Sequence, residues 1–243
     1  MSSRAKKAPA VMYCENRFCA GCGHAIFDRI LGEVLTEMDI IEDTIMCSDI
    51  GCNHQFQFCM NVDTIVPPHG KMGAALTAQK KVRPDKYAIT IAGDGGAYAI
   101  GLGETMSAAT RNDNVTFFVM NNTVYAMTGG QMAPTSQMGQ ITPSTPKGRI
   151  AALQGEDFDV FNVMRNLNIA YLARTSITNP VNIAKTKKMV RKAIEKQRDH
   201  KGFSLVEVLV PCPTNWNLTP PDAMKYIDEH LATRYEMGEV IDK

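Results

Sequence analysis

The sequence predicts an α/β fold in which a mostly parallel sheet is covered by helices on both faces. Short apolar runs rich in β-branched and aromatic residues alternate with longer segments that fit helices. The short runs are apolar throughout, which is typical of strands buried on both faces of a sheet. No linker, internal repeat or low-complexity tract divides the chain, so we expect one domain over residues 1–243.

The expected elements follow this alternation in order. The first helix is predicted over residues 23–38, where Ile26, Ile30, Leu31, Val34, Leu35 and Met38 share one face. Strands bounded by turn residues are predicted over residues 44–46, 87–92, 115–120, 169–173 and 203–210. Further helices are predicted between and after them, over residues 70–81, 103–110, 181–196 and 221–232, the last with a proline in its first turn.

Two segments depart from this pattern. Residues 128–148 are dominated by Gly, Pro, Ser, Thr and Gln, and so long a stretch without regular structure in a compact domain indicates a functional loop. Residues 1–12 are expected to form a flexible tail. Their first ten residues are basic, but no apolar stretch follows them, so they do not form a secretory signal.

Composition excludes several classes of function. A net charge of +1 provides no basic surface for nucleic acid or anionic membranes, and no apolar run is long enough to span a bilayer. The expected location is therefore the cytoplasm. Seven cysteines are many for a cytoplasmic protein, and the odd number argues against a full disulfide framework. In a reducing compartment, clustered cysteines instead suggest metal binding or redox chemistry.

A polar motif follows each of two successive predicted strands. Gly93-Asp94-Gly95 comes after the strand at 87–92, and Asn121-Asn122 comes after the strand at 115–120. Open α/β sheets bind ligands at the C-terminal ends of their strands. Magnesium prefers oxygen ligands shared with phosphate, and the flanking glycines allow a backbone to approach phosphates closely. The pair therefore predicts a magnesium and phosphate site.

The cysteines form a second candidate site. Cys19 and Cys22 make a C-x2-C pair that can place two thiolates on one metal centre. The remaining ligands would come from the other cysteines, which are Cys14, Cys47, Cys52, Cys59 and Cys212. Cys212 precedes a proline, as in ferredoxin sequences. Spacing alone distinguishes neither zinc from an iron–sulfur cluster nor Cys52 from Cys47.

The two motifs together with several others carry a family resemblance. The Gly-Asp-Gly and Asn-Asn pair resembles the thiamine-diphosphate motif of transketolases, pyruvate decarboxylases and 2-oxoacid oxidoreductases. Seven segments in order resemble the β subunit of 2-oxoacid:ferredoxin oxidoreductases: Cys-Ala-Gly-Cys-Gly-His (19–24), Ser-Asp-Ile-Gly-Cys (48–52), His69-Gly70, the motif pair itself, Val-Tyr-Ala-Met-Thr-Gly-Gly-Gln (124–131), Pro-Thr-Ser (134–136) and Pro-Cys-Pro-Thr-Asn-Trp (211–216).

The resemblance implies a thiamine-diphosphate-binding fold and assigns ligands. Asp94, the Asn122 side chain and the main-chain carbonyl of Val124 would bind Mg²⁺, which in turn holds thiamine diphosphate. One [4Fe–4S] cluster would be bound by Cys19, Cys22, Cys52 and Cys212. The residues implied to surround the organic cofactor are Ile50, Gly51, Cys52, Asn53, His69, Gly70, Gly93, Gly95, Gly96, Asn121, Tyr125, Ala126, Met127, Thr128, Gly129, Gly130 and Gln131.

The implied reaction is oxidative decarboxylation of a 2-oxoacid to acyl-CoA and CO₂. Electrons would leave through the cluster to ferredoxin or a flavodoxin-like carrier. The substrate would be a branched-chain oxoacid, 2-oxoglutarate or a related compound. The family activates thiamine with a glutamate on its α subunit, so we expect a heteromer with α, and with γ or δ subunits as further candidates. His69 is the catalytic candidate in this chain, Gln55 a candidate for substrate selection, and His24 is expected to be structural.

Two positions depart from the family pattern. Members that resemble 2-oxoglutarate enzymes often carry lysine where this chain has Gly129, so the sequence weakens that substrate assignment. Asp49 replaces a typical glycine, where it would alter the cluster potential or face solvent. Two other classes of function are alternatives: a non-oxidative thiamine-dependent decarboxylase or synthase, and a zinc-stapled structural module.

Overall fold

A seven-stranded sheet forms the centre of the protein, for which a computed structural model describes residues 8–243. Its strands are β1 (Thr44–Ser48), β2 (Asp63–Ile65), β3 (Tyr87–Gly93), β4 (Thr116–Asn121), β7 (Tyr171–Ser176), β8 (Ser204–Leu209) and β9 (Gly238–Asp242). The strand order is β2-β1-β3-β4-β8-β7-β9, and every neighbouring pair is parallel except β7 with β9. A separate two-stranded ribbon pairs β5 (Val124–Tyr125) with β6 (Gln131–Met132).

Helices cover both faces of this sheet. The longer ones are α1 (Gly23–Glu37), α2 (Met72–Val82), α3 (Leu102–Thr110) and α6 (Pro180–Arg198). Shorter ones are α4 (Ala151–Gln154), α5 (Val160–Met164), α7 (Pro213–Trp216), α8 (Pro220–Tyr226) and α9 (Ala232–Arg234). A 3₁₀ helix spans Cys52–Phe58, and π-helical turns span Gly96–Ile100 and Ile227–Leu231. None of the helices within residues 8–243 is long and apolar enough to cross a membrane.

The two cores explain the alternation seen in the sequence. Helices α1 and α6 pack on one face through residues such as Phe27 and Ile194, against strand residues such as Phe118. On the other face, α2 and α3 pack through residues such as Leu76, against strand residues such as Phe117. Successive residues of a strand point to opposite faces, so neighbours such as Phe117 and Phe118 must both be apolar. The expected fold class is confirmed.

The edge strands β2 and β9 were not expected from the sequence. β2 has only three residues, and most of β9 is exposed or half-buried. Short strands with one open side bury little apolar surface, so their sequences lack a strand pattern. β9 is also antiparallel to its neighbour β7, unlike the other strands of the sheet.

The N-terminal segment joins the domain earlier in the chain than expected. Residues 1–7 lie outside the described part of the chain, but Val11 is 3% exposed and belongs to the core beside α1. Met12 forms an isolated antiparallel bridge with Met60. These contacts attach residues 11 and 12 to the domain, which corrects the expectation of a flexible tail as far as residue 12.

One buried amide joins α6 to two strands. Gln197 accepts a hydrogen bond from the Ala88 N–H at 2.6 Å and donates to the Ala88 carbonyl at 3.0 Å. It also donates to the Thr116 hydroxyl at 2.8 Å. The side chain is 1% exposed, so water does not substitute for these bonds.

We expect Gln197→Leu to lower the free energy of unfolding by about 2 kcal/mol or more, because it leaves buried main-chain groups of Ala88 unpaired. Denaturant titration measures this change. Lys188→Ala, on an exposed position of the same helix, is the control and should change stability by less than about 0.5 kcal/mol. Equal stability of the two variants would contradict the role of the amide.

Candidate active site and cysteine site

Four neighbouring strands end side by side, and their C-terminal ends form one edge of the sheet. Each strand is followed by polar or sulfur-bearing residues. β1 leads to Asp49, β3 to Asp94, β4 to Asn122 and, a few residues beyond its end, β8 to Cys212. Because β1, β3, β4 and β8 are parallel and adjacent, these residues come together although they are distant in sequence.

The first cavity at this edge has a volume of about 100 Å³. Most of the residues expected around the organic cofactor line it, together with the expected magnesium ligands. The lining residues are His24, Ile50, Gly51, Cys52, Asn53, His69, Gly93, Asp94, Gly95, Gly96, Asn122, Val124, Tyr125, Ala126, Met127 and Thr128.

Asp94 is the buried carboxylate of this cavity. It is 1% exposed, and burial raises its pKa to about 7. A hydrogen bond from the Thr135 hydroxyl lowers the pKa, whereas the negative charge of Glu207 raises it further. A buried carboxylate with no cationic partner of its own carries an electrostatic cost that a bound cation would remove.

The turn after β4 presents Asn122 and Val124 to the cavity. The Asn122 side-chain oxygen accepts the Val124 N–H at 3.2 Å. Between them, Thr123 has a φ of 61°, which is strained for a β-branched residue. Ser136 donates to the Thr123 carbonyl, and Gln140 donates to the Thr123 hydroxyl at 3.0 Å. The loop at 128–148 therefore holds this turn in its strained form.

Asp49 stabilises the part of the cavity wall that contains His69. Its Oδ1 accepts the Gly70 N–H at 3.0 Å and contacts His69 Nδ1 at 2.9 Å, whereas its buried Oδ2 has no partner. Burial raises the pKa of Asp49, and the bonds to Gly70 and His69 oppose that rise. Asp49 is buried beside His69, which lines the cavity, so the alternative that Asp49 faces solvent is wrong.

Glycines bring the walls together. A Cβ on Gly95 would overlap the Tyr125 ring, and a Cβ on Gly96 would overlap the Asp49 carboxylate. Gly70 has a φ of 78° and a Cβ there would lie 2.7 Å from the backbone nitrogen of Gly101. The second motif glycine and its neighbour thus allow the Tyr125 ring and the Asp49 carboxylate to pack directly against the backbone that follows Asp94.

A second cavity, of about 390 Å³, adjoins the first. Its lining includes all four cysteines expected to bind a cluster: Cys19, Cys22, Cys52 and Cys212. Burial raises the pKa of the Cys22 thiol to about 12 and that of Cys52 to about 11. Burial also raises the pKa of Cys212, opposed by a hydrogen bond from Asn215.

One wall separates the two cavities. The residues that line both are His24, Cys52, Asn122, Ala126 and Met127. A cysteine of the second cavity is therefore also a wall of the first. Gln55 lines only the second cavity, which places it on the cysteine side of this wall.

The other three cysteines lie elsewhere. Cys47 and Cys59 are buried in the two cores, and Cys14 is exposed, with its thiol 2.9 Å from the Phe58 carbonyl. Within residues 8–243, no three His, Cys, Asp or Glu side chains converge as one metal ion requires. The four thiols instead share the lining of the second cavity.

Several expected cofactor residues do not line the first cavity. Asn121 points its amide to Glu207, at 3.3 Å. Gly70 lies behind His69, and Gly129 lines the second cavity only. Gly130 packs on Asn215, and Gln131 bonds with Thr128. These positions support the walls without forming their inner surface.

Sequence reasoning missed three contributors. His24, expected to be structural, lines both cavities, and its Nδ1 lies 3.4 Å from the Cys22 thiol. Burial lowers the pKa of His24 to about 4, so this ring is neutral near pH 7. Thr135 and Glu207 act on Asp94 from distant segments. In the sequence, only the Pro-Thr-Ser segment indicated a role for Thr135. Nothing indicated a role for Glu207, which lies on a buried strand.

The comparisons with known proteins begin with a family match. Residues 49–208 match the family "Thiamine pyrophosphate enzyme, C-terminal TPP binding domain". The match includes Asp49, Asp94 and Asn122. The chain therefore belongs to the thiamine pyrophosphate enzymes, as a domain that binds thiamine diphosphate.

Curated relatives define the branch of that family. The chain is 32% identical to 2-oxoglutarate synthase subunit KorB of Methanocaldococcus jannaschii, over 91% of this chain and 82% of that protein. It is 35% identical to ketoisovalerate oxidoreductase subunit VorA of Methanothermobacter thermautotrophicus, over 93% of this chain. The chain spans 48% of the length of that VorA subunit. The expected resemblance to the thiamine-diphosphate-binding subunits of 2-oxoacid oxidoreductases is confirmed.

A solved structure supports the same fold. The 2-oxoglutarate:ferredoxin oxidoreductase from Magnetococcus marinus, solved with 2-oxoglutarate, coenzyme A and succinyl-CoA bound, matches with a TM-score of 0.79. The match covers 100% of this chain and 87% of that chain, at 22% identity. Membership of this family removes the zinc-stapled structural module from the alternatives.

We expect Gly70→Ala to destabilise the protein by at least about 2 kcal/mol more than Gly139→Ala. Both glycines have a φ of 78°, so both variants carry the cost of a left-handed alanine, about 1 kcal/mol. Only at Gly70 would the methyl group meet rigid backbone; no atom lies within 4 Å of the corresponding position at Gly139. Thermal unfolding measures the difference, and equal losses would contradict the close approach beside His69.

Proposed function

We propose that this chain is the thiamine-diphosphate-binding subunit of a coenzyme A-acylating 2-oxoacid:ferredoxin oxidoreductase. The observation that carries the proposal is the wall shared by the two cavities, one with a buried carboxylate and one with four cysteines. Such an arrangement suits a reaction in which electrons released at an organic cofactor pass directly to an iron–sulfur cluster. A non-oxidative thiamine enzyme has no use for the second cavity.

The first cavity fits Mg²⁺ and a diphosphate. Asp94 would supply a charged oxygen, Asn122 an amide oxygen and Val124 a main-chain carbonyl. A cation beside Asp94 would favour the ionised carboxylate against the burial that raises its pKa. Gly95 and Gly96 would leave the backbone beside Asp94 without side chains of its own, packed against Tyr125 and Asp49.

The second cavity fits a [4Fe–4S] cluster better than zinc. A cubane cluster takes one thiolate on each of four irons, so its ligands surround a space. Cys19, Cys22, Cys52 and Cys212 surround such a space, whereas no mononuclear site forms in the part of the chain the structure describes. Iron would also stabilise the thiolate forms that burial disfavours at Cys22 and Cys52.

Bound thiamine diphosphate supplies the electron sink that makes loss of CO₂ from a 2-oxoacid possible. The residues of this chain bind and orient it. His69 is held by Asp49 through Nδ1 at 2.9 Å and lines the first cavity, where its other ring nitrogen would exchange a hydrogen bond with the reacting carboxylate. Neutral His24 and apolar Met127 limit water between the two cavities.

A partner subunit completes the site. The first cavity is smaller than the roughly 300–1,000 Å³ of a typical ligand pocket. No glutamate lies among the residues of the described chain that line it, so the glutamate that activates thiamine would come from an α subunit. Ile50 and Met127, 38% and 48% exposed at the cavity, would be covered by that subunit.

Ferredoxin or a flavodoxin-like carrier would accept the electrons. All seven cysteines lie within residues 8–243 and none of them forms a disulfide, which suits the reducing cytoplasm.

The cavity walls favour an apolar 2-oxoacid. Within residues 8–243, no lysine or arginine lines the first cavity, and Ile50, Ala126 and Met127 form its apolar part. A distal carboxylate, as in 2-oxoglutarate, would remain unpaired on this side. The branched-chain assignment follows, in line with the name of the VorA relative.

The central test is spectroscopic. The complex is purified anaerobically through a tag on this chain, and visible and EPR spectra are recorded before and after adding a 2-oxoacid with coenzyme A and thiamine diphosphate. We expect a brown protein whose cluster is reduced only when both a 2-oxoacid and the cofactor are present. A colourless protein that contains zinc, or a cluster that no 2-oxoacid reduces, would contradict the proposal.

The substrate assignment has its own measurement. We expect kcat/KM of the complex for 3-methyl-2-oxobutanoate to exceed that for 2-oxoglutarate by at least about tenfold, because the latter places an unpaired carboxylate in an apolar cavity. Ferredoxin reduction by the two substrates measures the ratio. Preference for 2-oxoglutarate would show that a cation from elsewhere defines the pocket.

The magnesium assignment predicts a loss of cofactor affinity. Asp94→Asn keeps the shape of the side chain but removes its charge, so we expect the Kd of thiamine diphosphate with Mg²⁺ to rise at least about 100-fold. Calorimetric titration measures this affinity. Asp85→Asn, an exposed position before β3, is the matched control and should bind as the unaltered protein does. Unchanged affinity in Asp94→Asn would remove it from the metal site.

A further inference from the structure

We propose that Asn215 is a positioning residue that couples the cluster ligand Cys212 to the cofactor loop, which is the segment of residues 126–130 between β5 and β6. Its single amide group would raise the reduction potential of the cluster and hold the loop against thiamine diphosphate. The inference rests on the proposed function, since it assigns a role toward the cluster and cofactor. The contacts on which the inference rests, however, all lie within this chain.

The two N–H groups of one amide reach two different sites. Asn215 Nδ2 lies 3.3 Å from the Cys212 sulfur and 3.1 Å from the Ala126 carbonyl oxygen. An amide nitrogen carries two hydrogens, so both contacts can form at once. Cys212 lies just before α7 and Asn215 lies within it, so the short helix fixes the distance between them.

The side-chain oxygen of Asn215 faces the glycine pair of the same loop. A Cβ on Gly130 would lie 2.8 Å from this oxygen, and the backbone of Gly130 has a φ of 86°. The loop after β5 can therefore approach α7 only because glycine stands there. Trp216, the next residue of α7, donates its indole N–H to the Asn122 carbonyl at 3.0 Å. The short helix thus contacts both turns that line the first cavity.

A hydrogen bond to a cluster-bound sulfur changes the reduction potential. The reduced cluster carries one more negative charge than the oxidised one, so a donor to the thiolate stabilises the reduced form more. The N–H of Asn215 would therefore make the cluster a better electron acceptor. The same amide holds the Ala126 carbonyl, so the donor sits where the cofactor loop meets the cluster.

The test measures the potential and the cofactor affinity separately. Asn215→Ala removes both donors, Asn215→Ser restores one, and Asn217→Gly is the matched control. Asn217 is exposed with a φ of 54°, a conformation that glycine adopts freely. Each complex is purified anaerobically and checked for iron, sulfide and melting temperature, and the cluster midpoint potential is then determined by EPR-monitored redox titration.

We expect the midpoint potential to fall in Asn215→Ala, to lie between the two in Asn215→Ser and to stay unchanged in Asn217→Gly. We also expect the Kd of thiamine diphosphate with Mg²⁺, measured by calorimetry, to rise about two- to tenfold in Asn215→Ala. A merely structural role would lower the melting temperature without moving the potential.

Two outcomes overturn the inference in distinguishable ways. If the unaltered complex holds a cluster that 2-oxoacids reduce, but both Asn215 variants keep its potential, the coupling role is refuted and the proposed function stands. If the unaltered complex holds no cluster, the proposed function fails and the role of Asn215 fails with it.

Discussion

The alignment of parallel strand ends is the constraint on which the site depends. β1, β3, β4 and β8 are neighbours in the sheet and run in the same direction, so the segments that follow them meet at one edge. Asp49, Asp94, Asn122 and Cys212 are brought together by this topology and by no local sequence feature. Apolar cores on both faces keep the strands in register, so the stability of the sheet and the geometry of the site have the same origin.

The site is electrostatically incomplete in the chain by itself. Asp94 and the thiols of Cys22 and Cys52 are buried, and burial raises the pKa of each. Burial of a carboxylate such as Asp94, without a cationic partner among the described residues, is costly for folding when the group is ionised and is expected where a cation is to be bound. The buried thiols stay protonated near pH 7 and carry no such cost. The strained turn at Thr123 adds to the cost at Asp94, and the loop at 128–148 maintains that turn through Ser136 and Gln140. Stability is thus lowered around Asp94 and Thr123, where the proposed magnesium ion and cofactor would restore it.

The same edge is where the proposed partner would bind. A groove formed only by strand ends is open on the side that faces away from the sheet, and here it leaves Ile50 and Met127 partly exposed. The chain spans about half of the VorA subunits it resembles, and more than four-fifths of the KorB subunit of Methanocaldococcus jannaschii. In the proposed enzyme, the partner would supply the missing wall of the groove, and with it the acid–base chemistry and part of the substrate pocket.

The sequence by itself determined the alternation of buried strands and helices, and it located Asp94 and Asn122 after two of those strands. Buried parallel strands must be apolar on both faces, and ligand groups must follow their C-terminal ends, so both features leave local patterns. The edge strands β2 and β9 left none, because they bury little surface. Only the tertiary structure decided that four of seven cysteines surround one cavity, that Asp49 binds His69 and Gly70, and that Thr135 reaches Asp94. These contacts join residues from about 20 to 190 positions apart, and no local pattern encodes a contact formed by the packing of distant segments.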